Sequence, residues 1–175
     1  MTGTGKPLRQ LAARVFALAD QQSVPVLLMD TRAGERGNHR ILYANAFAER
    51  LLGYSPGALA RQMPSALYGQ ATDLFQIMRA RDAVVTGARV TFQVQLYRGS
   101  GEPLLVDGAA GLVVQGRPGA PPRPLCAAVT LVPATRLARD GSGATLALAA
   151  LQDMAEALAD GAGDLRMSNR PTPAF

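Results

Sequence analysis

The second half of the chain contains three strand-like segments in succession, with no helical pattern between them. The first, Arg89 to Tyr97, alternates apolar and polar side chains, and the other two cover residues 103–115 and 125–132. Their connections, residues 98–102 and 116–124, are short and contain glycine or proline. Because consecutive strands joined by short turns pair antiparallel, this region predicts three antiparallel strands.

Two shorter apolar runs precede these segments and predict two further strands, at residues 26–30 and 41–44. Directly after the second run, Asn45 is suited to cap a short helix over residues 46–52. Gly53 is suited to end that helix, because glycine readily adopts the left-handed backbone conformation. The first half of the domain therefore predicts a strand pair followed by a short helix.

A longer helix of roughly four turns is predicted from Thr72 to Gly87, with Thr72 and Asp73 as cap and acidic first turn. The order of elements is then two strands, a group of helices and three strands. This order predicts an α+β fold, with a five-stranded antiparallel sheet and helices on one face.

Amphipathic helices are predicted on both sides of this region, at residues 7–21 and 144–160. Their apolar stripes consist of Leu8, Leu11, Val15 and Leu18 in the first helix and Leu148, Leu151 and Leu158 in the second. Each stripe must be buried, either on the exposed sheet face or on a second copy of the chain. The chain thus divides into an N-terminal helix (1–22), a central domain (23–134), a C-terminal helix (135–161) and a tail predicted to be disordered (162–175).

Length and composition fit one domain with flanking elements. The chain has 175 residues, of which 48% are hydrophobic, enough to form one core. No stretch approaches the roughly 20 apolar residues that cross a bilayer, and the N-terminus lacks the apolar segment of a secretion signal. The sequence therefore predicts a soluble cytoplasmic protein with no membrane association.

The formal net charge of +5 raises nucleic acid as a partner. The basic residues are scattered singly along the chain, however, which favours a solvated surface over a nucleic-acid-binding groove. The single cysteine, Cys126, lies in an apolar run, and this position predicts a buried and inert thiol.

Residues 41–55, with a strand, Asn45, a short helix and then Gly53-Tyr54-Ser55, resemble the signature of the PAS domain family. The resemblance extends over residues 25–132 and implies a PAS fold. PAS domains sense ligands or associate with other proteins, and their flanking helices commonly couple the two roles.

Within that family, residues 68–73 and 96–103 resemble the LOV branch, whose members bind flavin and use a cysteine as photochemical nucleophile. In this alignment Pro64 stands at the cysteine position, which implies that no cysteinyl adduct can form. Leu96 and Val106 stand where LOV domains place asparagines, and Thr130 stands at or near the glutamine of the last strand. Since each flavin polar group left without a partner costs about 1–3 kcal/mol, the resemblance implies that flavin binding is disfavoured.

The apolar interior suggests two alternatives, a filled core or a pocket for a small ligand. The candidate pocket residues are Asn45, Met63, Leu67, Phe75, Met78, Phe92, Leu96, Val106, Val129 and Thr130. For Asn45, capping of the short helix is the favoured interpretation, and contact with a ligand is the alternative.

Candidate chemistry is scarce. The only histidine, His39, lies in a loop that is expected to be solvent exposed, so haem ligation is not expected. There is no Cys/His cluster for zinc, no phosphate-binding glycine loop and no nucleophile elbow. The sequence therefore predicts no catalytic residues and no metal ligands, which means a protein that is not an enzyme.

The leading hypothesis is a bacterial signalling module of the PAS type that homodimerises through its flanking helices and regulates or recruits a protein partner, such as a kinase or transcription regulator. One alternative is a small-ligand sensor whose apolar pocket holds noncovalent flavin or another small molecule. A further alternative is a basic regulator associated with nucleic acid.

Overall fold

The computed structural model describes residues 5–31, 39–116, 119–134, 141–161 and 164–171, with backbone only for residues 5–11. Its elements confirm the predicted order of strands and helices. They are α1 (Gly5–Gln21), β1 (Val26–Met29), β2 (Ile41–Ala44), α2 (Ala46–Leu52), a 3-10 turn (Pro64–Leu67), α3 (Leu74–Val85), β3 (Val90–Tyr97), β4 (Pro103–Gln115), β5 (Arg123–Pro133), α4 (Ser142–Asp160) and β6 (Leu165–Met167). None of the described helices is long and apolar enough to span a membrane.

All strands form one antiparallel sheet, in the order β2-β1-β5-β4-β3, and β6 pairs with the end of β4. The sheet therefore has six strands and not the five that were predicted. The sixth lies in the tail predicted to be disordered, and that prediction is wrong for residues 164–171. In a strand of three residues, the alternation of apolar and polar side chains is too short to be recognised in the sequence. Leu165 and Met167 are nevertheless both buried.

The sheet carries helices on both faces. The α3 face is covered by α2, the 3-10 turn and α3, and the α4 face is covered by α1 and α4. Leu165 and Met167 of β6 join the core on the α4 face. The prediction of helices on one face holds for the central domain, and the flanking helices cover the other face. The reason lies in β4, where residues 106–114 are buried on both sides of the strand.

The α4 face is closely packed. Gly111 lacks the side chain that would collide with Met167 and contact Leu151, and this allows α4 and β6 to lie close to β4. The buried Thr130 hydroxyl donates a hydrogen bond of 2.6 Å to the carbonyl of Ala147 in α4. Because Thr130 points to the α4 face of β5, this hydrogen bond connects the sheet directly to α4.

At the edge of this face, α1 is held against β2. Phe16 stacks on Tyr43 with ring centroids 4.6 Å apart, and the Tyr43 hydroxyl donates to Asp20 at 2.7 Å. Burial, with the Asp20 carboxylate as a second cause, raises the pKa of Tyr43 to about 12. The tyrosine therefore stays neutral and able to donate throughout the physiological pH range.

Asn45 connects three segments at the junction of β2 and α2. Its side-chain oxygen accepts from the N–H groups of Ala48 and Val26, at 2.9 and 3.0 Å. Its amide nitrogen donates to the carbonyls of Ala19 and Val24, at 3.0 and 2.9 Å. The predicted helix cap is confirmed, and the same amide also fastens the end of α1 to the sheet.

Candidate functional site

A cavity of about 300 Å³ lies between α3 and the α3 face of the sheet. Strand residues form its floor, one side of α3 forms its roof, and the 3-10 turn and the segment after β1 form its ends. Its volume lies at the lower end of the range of ligand pockets, roughly 300–1,000 Å³. The floor residues are Leu27, Met29, Ile41, Phe92, Val94, Leu96, Ala110, Ala127, Val129 and Leu131.

The floor is open because small residues stand at its centre. Ala110 on β4 and Ala127 on β5 face the cavity with a single methyl group each. Beside them, Phe92 pairs with Gly108 across β3 and β4, and a side chain at Gly108 would collide with the Phe92 ring. The glycine therefore lets the ring lie against β4, where it forms part of the cavity wall.

The roof helix begins at Asp73, whose carboxylate accepts from the N–H groups of Phe75 and Gln76 at 3.0 and 3.2 Å. Leu74, Met78 and Val85 line the cavity, yet they are 55%, 53% and 56% exposed. Large apolar side chains of a helix are normally covered by the neighbouring layer. Here they border an open cavity, so solvent reaches them.

Six polar side chains also line the cavity, namely Asp30, Thr31, His39, Ser65, Tyr68 and Arg81. Burial raises the pKa of Tyr68, and the nearby positive charge of Arg81 acts in the opposite direction. His39 was expected to be solvent exposed, but it is half-buried and contributes to the lining. Its Nδ1 atom is buried and has no hydrogen-bond partner among the described residues.

Six of the ten predicted pocket residues line the cavity, namely Met63, Leu67, Met78, Phe92, Leu96 and Val129. The other four lie elsewhere. Phe75 is 73% exposed on α3, Val106 is covered within the core, and Asn45 is fully used at the junction described above. Thr130 follows Val129 on β5 and faces α4, because successive residues of a strand point to opposite faces.

Sequence reasoning missed several lining residues, including Tyr68, Ile77, Arg81, Val84, Ala110 and Ala127. Strand alternation could have found Ala127, which lies two residues before the predicted Val129. Helical spacing could have found Ile77, Arg81 and Val84, which follow Leu74 at three- and four-residue steps. No signal in the sequence identifies Tyr68, which lies in an irregular segment.

The residues predicted for a dimer interface occupy several environments. Val15, Leu151 and Leu158 are buried against the chain's own sheet, and Leu18 packs beside them. Leu148 is 39% exposed on the outer side of α4. The side chains of Leu8 and Leu11 lie outside the described residues. A second copy could contact Leu148 directly, whereas contact with the three buried residues would require α1 and α4 to leave the sheet.

The lining does not fit a flavin held in the LOV manner. The β3, β4 and β5 side chains in the floor are all hydrocarbon, so the polar edge of an isoalloxazine ring would have no side-chain partner there. Pro64 lines the cavity at the position that the LOV alignment gives to the reactive cysteine. Cys126 faces the α4 side, and burial raises its pKa to about 12, far from a reactive thiolate. No group of metal-ligating side chains occurs among the described residues.

Comparisons with known proteins agree with this architecture. The family model described as a PAS domain matches residues 13–89. The crystal structure of the Rhodobacter sphaeroides LOV protein superposes with a TM-score of 0.65 at 18% identity, covering 88% of this chain and 84% of that chain. A search of curated proteins found no match to the sequence.

Two further LOV structures are similar. The LOV domain of a blue-light activated histidine kinase from Erythrobacter litoralis has a TM-score of 0.53 at 18% identity, covering 66% of this chain and all (100%) of that chain. The light-state structure of the blue-light photoreceptor Aureochrome1 LOV has a TM-score of 0.54 at 19% identity, covering 78% of this chain and 96% of that chain. At these identities the likeness concerns the fold.

Proposed function

We propose that the chain is a non-enzymatic sensory module of the PAS type whose cavity binds a small, largely apolar molecule. A PAS-domain model matches residues 13–89, and the fold is similar to that of a LOV protein. Ligand binding would be the signal, and the helices that flank the domain would transmit it to a partner protein. The proposal favours the small-ligand alternative over a module that acts by homodimerisation alone.

The observation that carries this proposal is the open, hydrocarbon-lined space beneath α3. A filled core would place large side chains there, but the floor offers Ala110 and Ala127 and the roof leaves Leu74 and Met78 more than half exposed. Burying apolar surface contributes about 25 cal/mol per Å², so a ligand that covers these side chains would gain affinity and stabilise the fold.

The test uses decanol as a neutral apolar probe and a cavity-filling variant, Ala127→Leu. We expect decanol to bind the wild-type protein at one molecule per chain and to raise its unfolding temperature. Ala127→Leu places an isobutyl group in the cavity and should remove both effects. Calorimetric titration and thermal unfolding measure them.

The matched control is Leu146→Ala, which removes an exposed apolar side chain of α4 far from the cavity lining. It should bind decanol as the wild type does. The proposal is wrong if decanol and a panel of aromatic probes fail to bind the wild type, and if native mass spectrometry of the purified protein also finds no bound molecule.

Flavin is tested separately, by absorption of the purified protein and by titration with flavin mononucleotide. Because the floor lacks polar partners, we expect colourless protein and no saturable flavin binding. A yellow protein with flavin bands would keep the ligand-sensor function but replace the apolar ligand with flavin.

Homodimerisation, with regulation of a partner such as a kinase or transcription regulator, is the second candidate. It is favoured by two exposed leucines on α4, Leu146 at 57% and Leu148 at 39%. One of the similar structures comes from a histidine kinase, which is an example of a kinase output for this fold. Light scattering should show a dimer that becomes a monomer in Leu146→Glu/Leu148→Glu. A wild-type monomer, or a dimer that persists in the variant, would exclude this interface.

A further inference from the structure

Arg81 interrupts an apolar stripe at the roof of the cavity. On α3, the lining residues Leu74, Ile77, Met78, Val84 and Val85 follow helical spacing, and Arg81 occupies a central place among them. Arg79, two residues earlier on the same helix, is exposed like Arg81, but it does not line the cavity. An arginine that needed only solvent would be expected on the side of the helix where Arg79 lies.

The ion pair that Arg81 makes does not account for this position. Its Nη2 atom lies 3.5 Å from the Asp82 carboxylate, and the two side chains are 43% and 62% exposed. Such a long, solvated pair between adjacent residues contributes little. Tyr68 also lines the cavity, and it lies close enough for the Arg81 charge to act on the pKa of its hydroxyl.

Asp30 is the acidic residue in the lining, and it follows β1 together with Thr31 and His39. Asp30 has interactions of its own, so its charge is not simply available to Arg81. Arg81 is the one arginine or lysine among the described lining residues. The cavity therefore combines largely hydrocarbon walls with one basic side chain, Arg81, on the roof helix and one acidic side chain, Asp30, after β1.

We propose that the ligand is an amphipathic monocarboxylate, with its apolar body on the sheet floor and its carboxylate bound by the Arg81 guanidinium and the Tyr68 hydroxyl. This inference rests on the proposed ligand-sensing function and names the ligand class for the same cavity. The planar guanidinium fork matches the two oxygens of a carboxylate, and one fork balances one negative charge.

The volume sets the size of the ligand. A cavity of about 300 Å³ is at the small end of the range of ligand pockets. A medium-chain fatty acid or a small aromatic carboxylic acid fits this space, whereas a two-chain lipid exceeds it. Decanoate and decanol therefore serve as matched probes that differ in charge but have the same apolar chain length.

The experiment titrates both probes into the wild type, Arg81→Gln and the control Arg79→Gln, with heat of binding as the readout. We expect Arg81→Gln to weaken decanoate binding roughly tenfold to a hundredfold, the effect of losing a charge-assisted hydrogen bond. Decanol binding should stay unchanged in both variants. Arg79→Gln, which makes the same change in net charge on the same helix, should bind decanoate as the wild type does.

The wild type alone gives a second test that does not depend on how the variants fold. It should bind decanoate more tightly than decanol and should bind decyltrimethylammonium most weakly. Equal binding of decanoate and decanol by the wild type, or equal loss of decanoate in Arg79→Gln and Arg81→Gln, would overturn the carboxylate inference while leaving the ligand-sensing function in place. Failure of all three probes to bind would instead count against the ligand-sensing function.

Discussion

The two faces of the sheet are covered in different ways. On the α4 face, Leu28, Leu151 and Met154 are fully buried, and the polar groups of Thr130 and Asn45 have hydrogen-bond partners. On the α3 face, the α2 end is equally well packed, but beneath α3 the sheet and helix do not fill the space between them. One sheet therefore supports a closed interface on one side and an open cavity on the other.

This difference separates the parts of the molecule that maintain the fold from the part that can respond to a ligand. The buried side chains on the α4 face are covered by α1 and α4, so removing one of them should lower stability. Side chains around the cavity already contact empty or solvent-filled space, so substitutions there should affect binding more than folding. Paired substitutions, one on each face, test this contrast.

The largest contrast is expected between two leucines. Leu151→Ala on α4 removes a side chain with 0% exposure, and we expect it to lower the free energy of unfolding by about 2–5 kcal/mol. Leu74→Ala on α3, where the leucine is 55% exposed, should cost less than about 1 kcal/mol. Urea denaturation measures both. Equal losses would mean that α3 packs as tightly as α4.

The two helix caps give the next contrast. Asn45→Ala removes the cap of α2 and leaves groups of β1 and α1 without partners, so we expect a loss of about 2–3 kcal/mol. Asp73→Ala removes an exposed cap of α3 and should cost about 1 kcal/mol. Thermal unfolding of the two variants is the measurement. A larger loss of stability in Asp73→Ala than in Asn45→Ala would contradict the expected contrast between the two caps.

Two adjacent alanines on β5 provide a third pair. Ala128 has 0% exposure on the α4 face, and a leucine there should lower the free energy of unfolding by about 1–3 kcal/mol through overpacking. Ala127 faces the cavity, and Ala127→Leu should leave stability within about 0.5 kcal/mol of the wild type. The urea midpoints of the two variants, compared with that of the wild type, measure both effects. A cavity that is absent in solution would make both variants unstable.

The smallest effect concerns pH and arises on the α4 face. Burial raises the pKa of Cys126 from 9.0 to about 12, so between those values the unfolded chain loses its thiol proton before the folded protein does. Stability should therefore fall as the pH rises, by about 1 kcal/mol between pH 8 and pH 10 from this group. Urea denaturation at both pH values, with Cys126→Ala as the variant that loses this dependence, measures it.

Tyr43 acts in the same direction at higher pH, because its pKa is also raised to about 12. The contribution of Cys126 is therefore the difference between the wild type and Cys126→Ala, not the whole decline. If the two proteins lose the same stability between pH 8 and pH 10, the thiol is not buried as the structure places it.

Local patterns in the sequence are sufficient to predict most of the fold. The alternation at Val90, Phe92, Val94 and Leu96 predicts β3 and correctly assigns one face to all four residues. Asn45 predicts the start of α2 because its side-chain oxygen accepts from a helix N–H three residues later, that of Ala48. Such signals depend only on neighbours along the chain.

The cavity was only partly predictable, because it depends on contacts between distant elements. Ala110 and Ala127 contribute to one space only because β4 and β5 are neighbours in the sheet, and the sequence alone does not indicate that Arg81 lines the same cavity. Thr130 shows how sensitive such predictions are. An error of one residue along a strand moves a side chain from the cavity to the opposite face.

The short strand β6 has a consequence for solubility. β3 pairs with β4 only as far as Ala110. β6 pairs with the next part of β4, at Val113, Val114 and Gln115, and so covers an edge of the sheet that is rich in apolar residues. An uncovered edge of this kind offers free N–H and C=O groups to other chains and promotes aggregation. We therefore expect a protein shortened after α4 to expose that edge and to self-associate more readily.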